Sequence, residues 1–162
     1  FVSKLFLTGI IVMQTPLMLW GFGGQAKPVQ YPQDWYEVNE FIVQNQKCGE
    51  RILFLPWHMY MSFKWIGNIV ANKFFDCPII TGTNMELGEI YDTSQSIEGR
   101  MIYLWLASQG RTDLLYNDVL DIKYIILAKE VDWQNYFWLN FNPQIRLIKE
   151  TETLLVYKVK SL

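Results

Sequence analysis

Two kinds of apolar pattern run along this chain: one long uncharged stretch near its beginning, and shorter runs whose apolar positions recur at helix or strand spacing. Residues 5–22 read LFLTGIIVMQTPLMLWGF, with Thr8, Gln14 and Thr15 as the polar interruptions. About 20 such residues, rising about 1.5 Å each, cross a hydrocarbon layer roughly 30 Å thick, so the stretch predicts a transmembrane helix. Pro16 predicts a kink in it. Lys4 flanks one end and Trp20 the other, where an indole is stable at headgroup level. A cleaved signal peptide, with residues 5–13 as its apolar region and Gly24-Gln25-Ala26 as its cleavage site, ranks second. A buried core helix ranks third. The run Gly23-Gly24-Gln25-Ala26-Lys27-Pro28 has no periodicity and reads as a linker. The expected organisation is a membrane span over 1–24, a linker over 25–30 and a water-exposed domain over 31–162. Because the first residue is an apolar Phe1, the chain is read as the later part of a longer protein.

Within that domain the spacing of Trp35, Val38, Phe41 and Ile42, after Pro32 and Asp34 and before Gly49, predicts a helix over 33–47. Arg51-Ile52-Leu53-Phe54-Leu55 is a continuous apolar run stopped by Pro56, as in a strand covered on both faces. Residues 57–98 are broken by Gly67, Pro78, Gly82 and Gly88 and read as long loops, with a short strand at 78–81. Helices are expected over 98–109 and 112–120. A second buried strand is expected over 123–128, followed by a short helix capped by Asp132. Two β-rich segments, 145–149 and 154–159, flank a polar turn and predict a closing antiparallel hairpin. The fold class is therefore α/β: an N-terminal transmembrane helix, then a small layered domain whose mixed sheet ends in a β-hairpin.

Composition narrows the chemistry. Lys plus Arg count 14 against 16 Asp plus Glu, with no block of either sign, which argues against nucleic acid as a partner. One His and two Cys assemble no zinc-type ligand set, so no metal and no cofactor are expected. Separate buried thiols are the preferred reading of Cys48 and Cys77, with a single disulfide as the alternative outside the cytoplasm. Aromatic residues make up 16% of the chain and include seven Trp, which suits a domain at a membrane edge.

Several segments taken together resemble the C-terminal end of polytopic bacterial membrane proteins related to the GT-C class of glycosyltransferases. They are the apolar helix ending in Trp20-Gly21, Tyr31-Pro32-Gln33-Asp34-Trp35, Arg51-Ile52-Leu53-Phe54-Leu55-Pro56-Trp57, Gly82-Thr83-Asn84-Met85-Glu86-Leu87-Gly88, Ile122-Lys123-Tyr124-Ile125-Ile126-Leu127 and Leu155-Val156-Tyr157-Lys158-Val159. The resemblance implies an accessory domain on the extracytoplasmic side of the cell membrane, in a protein that uses a lipid-linked sugar donor. It also implies that the catalytic carboxylate sits on a loop near the first membrane helices, so no catalytic residue is carried over to this chain. The partners implied are the bilayer, the upstream membrane helices of the same protein and a lipid-linked sugar. The alternative is a non-catalytic, membrane-anchored binding module.

Four residues are the substrate or interface candidates: Trp57, His58, Asn84 and Glu86. His58 is the one imidazole and titrates near neutral pH when unperturbed, although a structural hydrogen bond is its preferred role. Asn84 and Glu86, with Glu89, lie in a Gly-bounded loop whose side chains suit hydroxyl-rich ligands, although Gly82 and Gly88 are read first as turn residues. The stretch Trp57, Met59, Tyr60, Met61, Phe63 and Trp65 needs cover. Core packing is expected first, and docking on membrane helices or headgroups second.

Overall fold

A computed structural model of the protein describes residues 30–45, 48–65, 69–71, 74–82, 96–112 and 120–160. The chain divides into two units, Phe1–Gln30 and Tyr31–Leu162, and the architecture below is that of the second. The expected membrane span lies outside the described residues, as does nearly all of the helix expected over 112–120. Among the described residues no helix is long and apolar enough to cross a membrane.

The two continuous apolar runs form the centre of a mixed five-stranded sheet. In chain order the elements are α1 (Gln33–Asn45), β1 (Arg51–Leu55), β2 (Tyr60–Ser62), β3 (Ile69–Ala71), β4 (Ile79–Ile80), α2 (Ile97–Ala107), β5 (Ile122–Ala128), a 3-10 helix (Trp133–Phe141), β6 (Ile145–Glu150) and β7 (Leu154–Val159). The strand order is β4-β1-β5-β7-β6, and β2 pairs with β3 in a separate two-stranded sheet. β1 runs parallel to both β4 and β5, with Ile52 opposite Ile79 and Leu55 opposite Leu127. β7 is antiparallel to β5 and β6, so the expected hairpin closes the sheet. A strand flanked on both sides and covered on both faces has no polar environment to meet, which is why β1 and β5 read as unbroken apolar runs.

Alternation along the strands then splits the core in two. Ile52, Phe54, Tyr124, Ile126 and Val156 point to one face, where Trp35, Val38 and Ile42 of α1 cover them together with Met61 and Phe63. Leu53, Leu55, Ile125, Leu127, Leu155 and Tyr157 point to the other, beneath Ile102, Trp105 and Leu106 of α2 and Tyr136 and Leu139 of the 3-10 helix. Burying each such side chain contributes about 1.5–3 kcal/mol against leaving it in water. The result is a three-layer α/β domain.

Two expectations are corrected here. The region read as loops contains β2 and β3, while its aromatic stretch packs in the core as was expected first: Trp57, Met61 and Phe63 are buried. Cys48 and Cys77, read as separate thiols, form a disulfide with their Cα atoms 4.8 Å apart. The cause lies in the topology. Each cysteine stands just ahead of a strand, Cys48 before β1 and Cys77 before β4, and parallel neighbours begin side by side, with Ile52 N donating to Pro78 O at 3.2 Å.

Candidate functional site

Parallel strands that begin together also end together, and loops beyond their carboxyl ends are where α/β sheets gather polar side chains. β1 ends at Leu55 and delivers Pro56-Trp57-His58, while β5 ends at Ala128 and delivers Lys129 to Asp132. His58 and Asp132, 74 residues apart in sequence, meet there with Nε2 3.2 Å from Oδ1. A carboxylate can only accept, so in a bond to an ionised Asp132 the donor is His58 Nε2. The imidazole is 0% exposed and the Asp132 side chain 9%.

Asp132 was expected to cap the following helix. It occupies the N-cap position of the 3-10 helix, but its side chain makes no capping bond. The carboxylate is spent on His58 through Oδ1, and Oδ2 is buried without a hydrogen-bond partner. The Trp57 backbone N–H donates to Tyr136 Oη at 2.9 Å and thereby ties the end of β1 to the 3-10 helix. Burial pushes the Tyr136 phenol far above its ordinary range despite the bond from Trp57, and the nearby Asp132 charge pushes the same way. The phenol therefore stays protonated at any physiological pH. Glu130, also buried, accepts from the Lys64 backbone N–H at 3.4 Å, which links the segment after β2 to the end of β5.

Of the four sequence candidates, the structure places Trp57 and His58 together in this buried knot. The chain also leaves β4 at the same edge, through Thr81 and Gly82. Asn84 and Glu86, and Glu89 with them, lie outside the described residues. Sequence reasoning missed Asp132, Glu130 and Tyr136 as partners. The signal available was positional, because Glu130 and Asp132 lie within four residues of the end of the apolar run of β5, but the pairing depends on β1 and β5 being neighbours. A covered imidazole locked to a carboxylate and a phenol held neutral can position the loops around them. Among the described residues no three His, Cys, Asp or Glu side chains gather as metal ligands.

A different surface lies on the α2 side. Two shallow clefts, about 540 and 660 Å³, flank Trp138 and share it with Gln109 as a common wall. Gln109 and Gly110, at φ 54° and 72°, turn the chain sharply after α2. Their N–H groups donate back to Leu106 O and Trp105 O, both at 2.9 Å. Only glycine fits at 110, since a Cβ there would stand 2.5 Å from both the Trp138 ring and Asn142 Nδ2. Trp138 is held in turn by a T-shaped contact with Trp105, 5.0 Å between centroids.

No family model and no curated protein matches the chain by sequence. Its fold is matched in cryo-EM structures of the arabinofuranosyltransferase AftD from Mycobacteria. One aligns over 82% of this chain with 12% identity and a TM-score of 0.57. A second, of a mutant of that enzyme, aligns over 100% with 12% identity and a TM-score of 0.60. The chain spans 12% and 16% of the length of those two proteins, so the shared part is one segment of a much larger molecule.

Proposed function

We propose that this chain is an accessory extracytoplasmic domain of a membrane glycosyltransferase-like protein of the GT-C kind, which draws on a lipid-linked sugar donor. In this reading residues 5–22 form its last membrane-spanning helix, and the catalytic carboxylate belongs to upstream sequence. The observation that carries the reading is the fold shared along the chain with AftD, itself an arabinofuranosyltransferase. The Cys48–Cys77 disulfide supports an extracytoplasmic location, because such bonds persist in oxidising compartments and are rare in the cytosol. The closed His58–Asp132 pair supports an accessory role: it shapes the strand-end loops and does not itself reach a substrate.

The test is sugar transfer by the full-length protein in membranes supplied with a lipid-linked arabinofuranose. Replacing the upstream carboxylate should abolish transfer. Glu86→Ala or His58→Ala should lower turnover by roughly three- to tenfold, as loss of a positioning contact does. Transfer catalysed by residues 31–162 alone would overturn the division of labour. A membrane-anchored glycan-binding module is the second reading, favoured by the clefts around Trp138. It predicts binding with no transfer under any of these conditions.

A further inference from the structure

We infer that the paired clefts around Trp138 are a binding surface for an uncharged oligosaccharide, which lies across the Trp138 ring with sugar units in both clefts. The choice of sugar probe below rests on the proposed function. The site itself does not.

The lining carries the inference. Gln109, Gln134, Asn135, Asn142 and Gln144 all contribute, and among the described residues no Asp, Glu, Lys or His lines either cleft. A primary amide both donates and accepts, as a sugar hydroxyl does, whereas a carboxylate only accepts and an ammonium only donates. A wall of amides therefore satisfies hydroxyl-rich ligands without selecting for charge. Arg111 is the one charged residue among the described lining.

The apolar part of the lining has the complementary form. Phe137 is 46% exposed and Phe141 is 86% exposed, and both border the clefts on either side of Trp138. One exposed aromatic ring is ordinary on a protein surface; two exposed rings flanking a half-buried Trp138 beside two concavities are not. Aromatic faces carry negative charge density, which attracts the weakly positive C–H face of a sugar ring. The surface is also prearranged. Gly110 lets the turn after α2 lie against Trp138, Asn142 Nδ2 donates to Gly110 O at 3.3 Å, and Asn142 Oδ1 accepts from Gln144 N at 2.9 Å. Those bonds fix Asn142 at the cleft without any ligand. An extended peptide is poorly served here, because the backbone N–H groups of Gln109, Gly110, Arg111 and Asn142 are already bonded within the wall.

The test titrates the whole chain, in detergent micelles, with a soluble linear arabinofuranosyl pentasaccharide and follows saturation-transfer NMR and tryptophan fluorescence. Binding with a Kd on the order of 0.1–1 mM is expected, as suits open clefts. Trp138→Ala should weaken it by at least about tenfold. Because that variant can perturb packing, Gln134→Ala with Asn135→Ala is the companion: both positions are exposed, and roughly threefold weaker binding is expected at unchanged stability. Leu104→Ala, on the exposed side of α2 and outside both clefts, should bind as the parent does. Raising the salt concentration tenfold should change the affinity by less than about twofold.

No binding at millimolar sugar overturns the inference, as does binding equally reduced in the Leu104 variant. Preference of about tenfold or more for a hyaluronan hexasaccharide over the neutral probe also overturns it, because Arg111 would then be reading charge. The outcomes separate from those of the transfer assay. Binding without transfer sinks the transferase reading and keeps the surface, while transfer that ignores Trp138→Ala in a chain that fails to bind sugar does the reverse.

Discussion

The two faces of the sheet are built differently. On the α1 face, contacts distant in sequence fasten the layer down. Trp35 Nε1 donates to Thr153 Oγ1 at 3.0 Å, and Asp34 Oδ2 accepts from Thr153 N and Oγ1 at 2.8 and 2.7 Å. Asn39 Nδ2 donates to Asp76 Oδ2 at 2.7 Å, next to the disulfide at Cys77. Trp35 stands at the middle of an aromatic cluster, stacked on Phe75 at 5.6 Å and edge-on to Phe63 at 5.3 Å. On the opposite face α2 and the 3-10 helix pack through Ile102, Trp105, Tyr136 and Leu139, with further polar anchors near their ends. Arg51 makes a two-pronged pair with Glu98 at 2.9 Å, and Tyr157 Oη donates to Asn140 Oδ1 at 3.1 Å. Between those anchors lie the clefts and the exposed rings. Both faces bury an apolar core, so the lesson is a division in polar fastening: the α1 layer is tied down by bonds distant in sequence, and the other layer leaves an outer surface open for recognition.

The comparison is broken most directly at Trp35. Trp35→Ala removes a fully buried ring and its bond to Thr153, and should cost about 3–5 kcal/mol, with a thermal midpoint lower by on the order of 10 °C. A calorimetric loss below about 1 kcal/mol would mean that α1 is not the fastened layer. Opening the disulfide comes next. It spans 29 residues, so chain entropy assigns it about 3–4 kcal/mol, to be read from urea unfolding of the Cys48→Ser, Cys77→Ser variant.

Asp34 should matter less, and in a pH-dependent way. Burial alone would raise its carboxyl, but the two bonds from Thr153 outweigh burial and hold it below its ordinary value of 3.8. The stability it contributes is therefore present above about pH 4 and drains away as pH falls through the depressed value. Asp34→Ala should cost about 1–3 kcal/mol at pH 7 and flatten that part of the acid limb. An unchanged acid limb would show that Thr153 does not favour the charged form. The smallest effect belongs to the other face. Phe141→Ala should change stability by no more than about 0.5 kcal/mol, because the ring is almost wholly in water. A larger loss would place Phe141 among the structural anchors.

The same contrast marks what the sequence makes legible. Ile52 to Leu55 and Tyr124 to Leu127 announce themselves because a strand covered on both faces has no reason to alternate. The closing hairpin and α1 are equally visible, since period and turn chemistry are local properties. α2 is found within two residues, although its cap, in which Ser96 Oγ accepts from Gly99 N at 2.9 Å, was not read. What depends on strand order is hidden. Asp132 stands where a helix cap stands and is used otherwise, because β5 sets it beside the end of β1. Cys48 and Cys77 look like two isolated thiols until β4 is placed parallel to β1. β2 is obscured because its aromatic neighbours Trp57, Phe63 and Trp65 mimic a greasy loop. The Trp138 clefts are hidden for another reason: amides and single aromatic rings are unremarkable in sequence, and only the turn at Gln109 and Gly110 brings them round one ring.

The bond between Trp35 and Thr153 has a further consequence, for the order in which the chain can fold. It joins residues 118 apart, and β5 reaches its antiparallel neighbour only when β7 exists. A chain made or exported from its amino end thus presents α1 and β1 long before the strand and turn that seal them. Pairings so distant make folding slow and leave apolar surface uncovered while the remainder arrives. Until Thr153 emerges, the Trp35 side of the helix lacks the partner that seals it, so the last hairpin to be made decides when the first layer closes.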